Sequence, residues 1–72
     1  MTQKKIEARL IQADKRVVIG EKRLDRQREF LLGLERLGNN TSAARALLEE
    51  LEKIQAIRIE HRDALSRELN TL

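Results

Sequence analysis

The segment Leu37-Gly38-Asn39-Asn40-Thr41-Ser42 separates two helix-forming halves of the chain. Gly38 has no Cβ, so it can adopt the left-handed backbone conformation that ends a helix. The polar side chains after it can accept hydrogen bonds from the free amides that open the next helix. Neither flank contains proline, and both are rich in strong helix formers. We expect a single domain with a helix over residues 2–37, a turn over 38–40 and a helix over 41–70.

Apolar residues in both halves recur in alternating steps of three and four, which is the pattern of a coiled-coil seam. Because the turn is short, the two helices must run antiparallel. The fold class expected is all-α, an antiparallel two-helix hairpin in which Gly20 faces Arg58. The predicted seam of the first helix consists of Ile6, Leu10, Ala13, Val17, Gly20, Leu24, Gln27, Leu31 and Leu34. The predicted seam of the second consists of Ala44, Leu47, Leu51, Ile54, Arg58, His61, Leu65, Glu68 and Leu72.

The composition of the 72 residues excludes several classes of function. Without Cys, disulfides, thiolate metal sites and Cys nucleophiles are impossible, and a single His does not make the three- or four-ligand set of a metal site. No carboxylate pair, Ser/His arrangement or phosphate-binding loop indicates catalysis, so we expect no enzyme activity and no cofactor. The longest apolar runs have three residues, against about 20 for a membrane span. The N-terminus lacks the apolar segment of a signal peptide, which predicts a cytoplasmic protein without membrane contact.

Six large apolar residues fall outside the predicted seam on one flank of the hairpin, where an isolated hairpin would expose them. We expect two hairpins to pair about a two-fold axis as a homodimeric four-helix bundle, a non-catalytic protein–protein interaction module. A different helical protein is the alternative occupant, and a solvated coiled coil with scattered apolar residues is the plain alternative. The expected interface consists of Ile11, Val18, Leu32, Leu48, Ile59 and Leu69. The second-choice flank carries Phe30, Leu37, Ala43, Ile57 and Ala64 beside Arg9, Arg16 and Arg23.

A row of cations on the outer face of the first helix suggests an alternative function. Residues 1–37 hold 10 cations and 6 anions, whereas residues 41–72 hold 5 and 6. Such a row could follow the phosphates of RNA or DNA, with steep salt dependence. We favour a solvated surface instead, because base-stacking aromatics are lacking apart from Phe30. This basic stripe consists of Lys5, Lys15, Lys22, Arg26 and Arg36.

His61 is the one histidine of the chain, and the predicted seam buries it against Val17. A phosphate-accepting role is the sharper alternative, because sensor-kinase dimerisation domains are four-helix bundles of paired hairpins. The segment Glu60-His61-Arg62-Asp63-Ala64-Leu65 faintly resembles their histidine box. However, His61 lies on the second helix and no proline follows it, so we favour a seam residue.

Several short segments on both sides of the turn carry a family resemblance. They are Arg26-Gln27-Arg28-Glu29, Leu34-Glu35-Arg36-Leu37-Gly38, Thr41, Ala44-Arg45-Ala46-Leu47-Leu48, Leu51-Glu52 and His61-Arg62-Asp63. Over residues 15–69 the chain resembles a group of small uncharacterised helical-hairpin proteins of bacteria. The resemblance implies a coiled-coil hairpin and no functional residue, because that group has no established activity. In architecture alone the chain is also similar to the plasmid-encoded hairpin dimer that binds paired RNA loops.

Overall fold

The computed structural model describes residues 2–72 as two α-helices joined by a short turn. Helix α1 spans Thr2–Arg36 and helix α2 spans Ser42–Asn70, so the inner end of each lies one residue from its predicted bound. The helices pack along each other in a rod of 55 × 14 × 13 Å, and the described residues contain no strand. The prediction of an all-α two-helix hairpin is confirmed.

The turn closes the end of α1 in the way that its glycine predicts. Gly38 has a φ of 69°, in the left-handed region, and its amide donates to the Glu35 carbonyl at 3.1 Å. The Asn39 amide donates to the Leu34 carbonyl at 3.0 Å. This pair of hydrogen bonds is a Schellman motif, which satisfies carbonyls left free at the helix end. At the start of α2, the Asn40 side-chain oxygen accepts a hydrogen bond from the Ser42 amide at 2.9 Å.

The seam of α1 follows the sequence prediction, but the seam of α2 does not. All nine predicted α1 positions are buried or half-buried. In α2 the predicted positions Ala44, Leu51, Arg58 and Leu65 do face the seam. The alternate positions are wrong, because Leu47, Ile54, His61, Glu68 and Leu72 are exposed. Their places are taken by Leu48, Gln55, Arg62 and Leu69. Every second seam position moves by one residue, which is about 100° around the helix axis, and the others stay in place. The centre of the seam therefore rotates by about 50°.

A contact between Gly20 and Gln55 explains this rotation. Gln55 is 4% exposed, and its amide nitrogen donates to the Val17 carbonyl at 2.8 Å and to Glu21 Oε1 at 3.1 Å. A Cβ at Gly20 would overlap Gln55 Oε1 and would lie 2.7 Å from Gln55 Cδ. The predicted pairing of Gly20 with Arg58 is therefore wrong by three residues. The opposite helix supplies two acceptors for the amide nitrogen, whereas the buried Gln55 Oε1 has no hydrogen-bond partner within residues 2–72.

Candidate interaction surfaces

Two side-by-side helices have two broad faces, one on each side of the seam. Cross-helix contacts of acidic α1 residues mark the first: Glu35 with Arg45 at 2.7 Å, Asp14 with Arg62 at 3.8 Å, and Glu21 with Gln55. Val18 lies four residues after Asp14 and three before Glu21, so it shares their side of the helix. We call this side the Val18 face. It includes the α1 residues Ile11, Val18 and Leu32 and the α2 residue Ile59.

The expected interface residues are divided by the structure into two groups. Ile11, Val18 and Leu32 are 56%, 53% and 51% exposed, and all three come from α1. The other three, Leu48, Ile59 and Leu69, are half-buried within the hairpin itself. Leu48 and Leu69 lie in the seam because of the rotation of α2. The six therefore do not form one equally exposed patch, and their use as a dimer interface stays a prediction.

Acidic side chains surround the apolar residues of the Val18 face. On α1 they occur at heptad positions beside the seam, with Arg28 at the heptad position between the last two. These residues are Glu7, Asp14, Glu21 and Glu35. Asp14 and Glu35 are paired with Arg62 and Arg45 of α2, so like-charge repulsion from a second copy on this face would come from Glu7 and Glu21.

The second broad face carries the larger number of exposed apolar side chains. Arg16, Ile57 and His61 line one cavity there, which places these residues of α1 and α2 on the same side of the hairpin. Residues at helical spacing from them share that side. We call this side the Phe30 face. Its exposed large apolar residues are Ile19, Phe30, Leu37, Leu47, Ile54 and Ile57.

The sequence predicts only part of the Phe30 face. Phe30, Leu37 and Ile57 belong to the second-choice flank of the sequence analysis. Leu47 and Ile54 belong to the predicted seam, and the rotation of α2 turns them outward. The exposed face is therefore richer than the aliphatic pattern indicated, and both helices contribute to it.

His61 lies on the surface, not in the seam, so the prediction of a buried seam histidine is wrong. It lines two adjoining cavities of about 300 and 290 Å³ near the open end of the hairpin. Arg16 lines both, half-buried Arg58 lines the first and Arg9 lines the second. This exposure makes His61 reachable by a phosphodonor, but the phosphate-accepting role stays an untested alternative.

The whole basic stripe lies on the solvent-exposed surface of α1. Its five residues are all exposed, and within residues 2–72 none of them lies within 4.0 Å of a carboxylate oxygen. The distance from Lys5 to Arg36 along the helix is roughly 46 Å at 1.5 Å per residue. The ion pairs of the described chain join other residues: Arg28 with Asp25, Arg45 with Glu35, Lys53 with Glu50, and Arg62 with Asp14 and Asp63.

Residues 2–72 lack two further kinds of site. Neither helix has a stretch long and apolar enough to cross a membrane. The same residues contain no group of three or more His, Asp or Glu side chains placed to hold a metal ion. The resemblance to small bacterial hairpin proteins stays a prediction. No protein-family model, curated protein or solved structure matches this chain.

Proposed function

We propose that this protein is a non-catalytic interaction module that binds a second copy of itself to form a four-helix bundle. The observation that carries the proposal is the surface left exposed. The hairpin exposes 5667 Å², whereas a compact monomer of 8.4 kDa exposes about 4,600 Å². The excess of about 1,000 Å² is similar to the roughly 800 Å² that each partner buries in a standard interface.

The thin core of the hairpin supports the same proposal. Seven apolar residues are buried, and no side chain among residues 2–72 is less than 2% exposed. Ten large apolar side chains of the same residues are exposed. Pairing of two hairpins would cover part of this surface and would give the seam a second layer, which stabilises both copies by hydrophobic burial.

Light scattering over a concentration series tests the proposal directly. We expect a mass near twice 8.4 kDa at high concentration. The unfolding temperature should rise with concentration, because association stabilises the folded state by mass action. A mass of 8.4 kDa at every concentration, with a constant unfolding temperature, would contradict the proposal.

A second candidate function is nucleic-acid binding through the basic stripe. It is favoured by the exposure of all five cations and by the lack of carboxylate contacts to them in residues 2–72. If five phosphates were contacted, affinity for a duplex should fall roughly 500-fold between 50 and 200 mM salt.

Fluorescence anisotropy with labelled RNA and DNA duplexes tests this candidate. Lys15→Glu with Lys22→Glu should weaken binding and flatten the salt dependence. Lys53→Glu with Arg67→Glu is the matched control, because it changes the net charge equally at two exposed cations of α2. The candidate fails if neither duplex binds at low salt, or if the control weakens binding as much as the stripe variant.

A further inference from the structure

We infer that the two copies meet through their Phe30 faces, with α1 of each copy against α2 of the other and both turns at the same end of the bundle. This inference rests on the proposed function, since it gives the geometry of the proposed dimer. It states which surface the copies use and how they are oriented. Either statement can be wrong even if the protein is a dimer.

The choice of face follows from which helices supply exposed apolar surface. In a four-helix bundle, both helices of each hairpin must contribute apolar side chains to the shared core. On the Val18 face, the large side chains more than half exposed all come from α1, and Ile59 of α2 is already half-buried. On the Phe30 face both helices contribute: Ile19, Phe30 and Leu37 from α1, and Leu47, Ile54 and Ile57 from α2.

The orientation follows from the distribution of these residues along the rod. Phe30, Leu37 and Leu47 lie in the half of the hairpin near the turn, and Ile54 lies between them and the middle. The half near the open end instead carries Arg9, Arg16 and His61 around two cavities. If the turns were at opposite ends, the apolar half of each copy would cover the arginine half of the other. With the turns together, the apolar halves cover each other, and Arg9 and Arg16 of one copy lie against α2 of the other at the open end.

Charge complementarity favours the same orientation. The α1 edge of the Phe30 face carries a row of arginines: Arg9, Arg16, Arg23 and Arg26. The α2 edge carries Glu50 and Glu68, at heptad spacing from Ile57 and Leu47, with Lys53 on Glu50 at 3.4 Å and Arg58 half-buried between them. A two-fold axis along the rod places the basic edge of one copy against the acidic edge of the other. An axis across the rod places α1 against α1 and stacks arginine on arginine, which is repulsive.

A spin-label distance measurement tests the orientation. The chain has no Cys, so Asn39→Cys provides a single labelling site on an exposed residue of the turn. In the proposed dimer the two labels should be less than about 30 Å apart, because packed helices are about 10 Å apart. With the turns at opposite ends, the labels would be separated by nearly the 55 Å length of the rod.

The mass and the label distance of the same labelled sample test dimer formation and orientation separately. A dimer mass with a short distance is the expected result. A dimer mass with a distance near the rod length overturns the orientation and leaves the proposed function intact. A monomer mass overturns both.

A pair of matched double variants tests the face. Phe30→Glu with Ile57→Glu should reduce the mass from twice 8.4 kDa to 8.4 kDa. Ile11→Glu with Val18→Glu is the control on the other face and should leave the dimer mass unchanged. All four residues are more than half exposed in the hairpin, and circular dichroism should show that both variants remain helical. Dissociation of the control with survival of the Phe30-face variant would assign the dimer to the Val18 face and overturn the inference.

Discussion

The two helices contribute different kinds of side chain to one seam. The buried residues of α1 are five aliphatic side chains with small Gly20 among them: Ile6, Ala13, Val17, Leu24 and Leu31. Those of α2 are Ala44, Gln55 and Leu65. The first helix therefore supplies the larger share of buried apolar side chains. The second is oriented by polar contacts, from Gln55 to the α1 backbone and from Gln27 of α1 to the Ala44 carbonyl at 3.0 Å.

This difference connects the seam to the outer surface. Because Gln55 occupies a seam position, its neighbour Ile54 is turned outward, and so is Leu47, which lies seven residues earlier. A purely aliphatic α2 seam through these two residues would have left the Phe30 face poorer in apolar side chains. The polar contact inside the hairpin thus helps to create the apolar face outside it.

The largest expected effect comes from removing apolar volume on the α1 side. Leu24 is 4% exposed, so Leu24→Ala should reduce the free energy of unfolding by about 3 kcal/mol. Leu51→Ala on α2 is the matched variant, and its half-buried site predicts a smaller loss of about 1–2 kcal/mol. Urea unfolding of both variants at one protein concentration measures the two losses of unfolding free energy. Equal losses, or a larger one for Leu51→Ala, would mean that α2 contributes as much apolar stabilisation as α1.

Gly20→Ala should be the next largest effect, and it tests how α2 is oriented. Alanine is normally favoured over glycine in a helix by about 1 kcal/mol. At this site the new Cβ would overlap the Gln55 amide and displace it from Val17 and Glu21. Displacing a buried, hydrogen-bonded side chain should cost more than the helix gains, giving a net loss of about 1–2 kcal/mol. A stabilised Gly20→Ala variant in thermal unfolding would show that the contact does not set the position of α2.

Gly33→Ala is the opposite case in the same helix, with a smaller effect of opposite sign. A Cβ at Gly33 has no neighbouring atom within 4 Å, and its backbone is helical. Gly33 lies three residues after Phe30 and shares its face. At concentrations where the hairpin is monomeric, the substitution should therefore raise the free energy of unfolding by about 0.5–1 kcal/mol through helix propensity alone. Thermal unfolding of the two glycine variants side by side measures the difference. If Gly33→Ala is destabilising, the open space beside it is filled in solution, for example by a second copy.

The turn and the α1 seam could be predicted because local chemistry decides them. Gly38 ends a helix through its own backbone freedom, and the apolar spacing of α1 allows one well-formed stripe. In α2, two stripes compete for the alternate positions: one uses Leu47, Ile54, His61 and Glu68, and the other uses Leu48, Gln55, Arg62 and Leu69. Aliphatic content does not decide between them, but the space at Gly20 accepts the Gln55 amide and selects the second. The deciding contact joins residues 35 positions apart in the sequence, so the local spacing of apolar residues cannot predict it. The same contact places His61 on the surface.

The smallest expected effect concerns the one cross-helix ion pair next to the turn. Arg45 donates to Glu35 Oε1 at 2.7 Å, and the two side chains are 58% and 39% exposed. Exposed ion pairs contribute little, so Arg45→Ala should reduce the free energy of unfolding by only about 0.5 kcal/mol. A double-mutant cycle with Glu35→Ala in low and high salt isolates the pair, and the coupling should shrink as salt screens it. A coupling above about 1 kcal/mol that is insensitive to salt would indicate that the pair is shielded from water. Since Glu35 lies on the Val18 face, that result would argue for a partner covering that face and against the Phe30-face dimer.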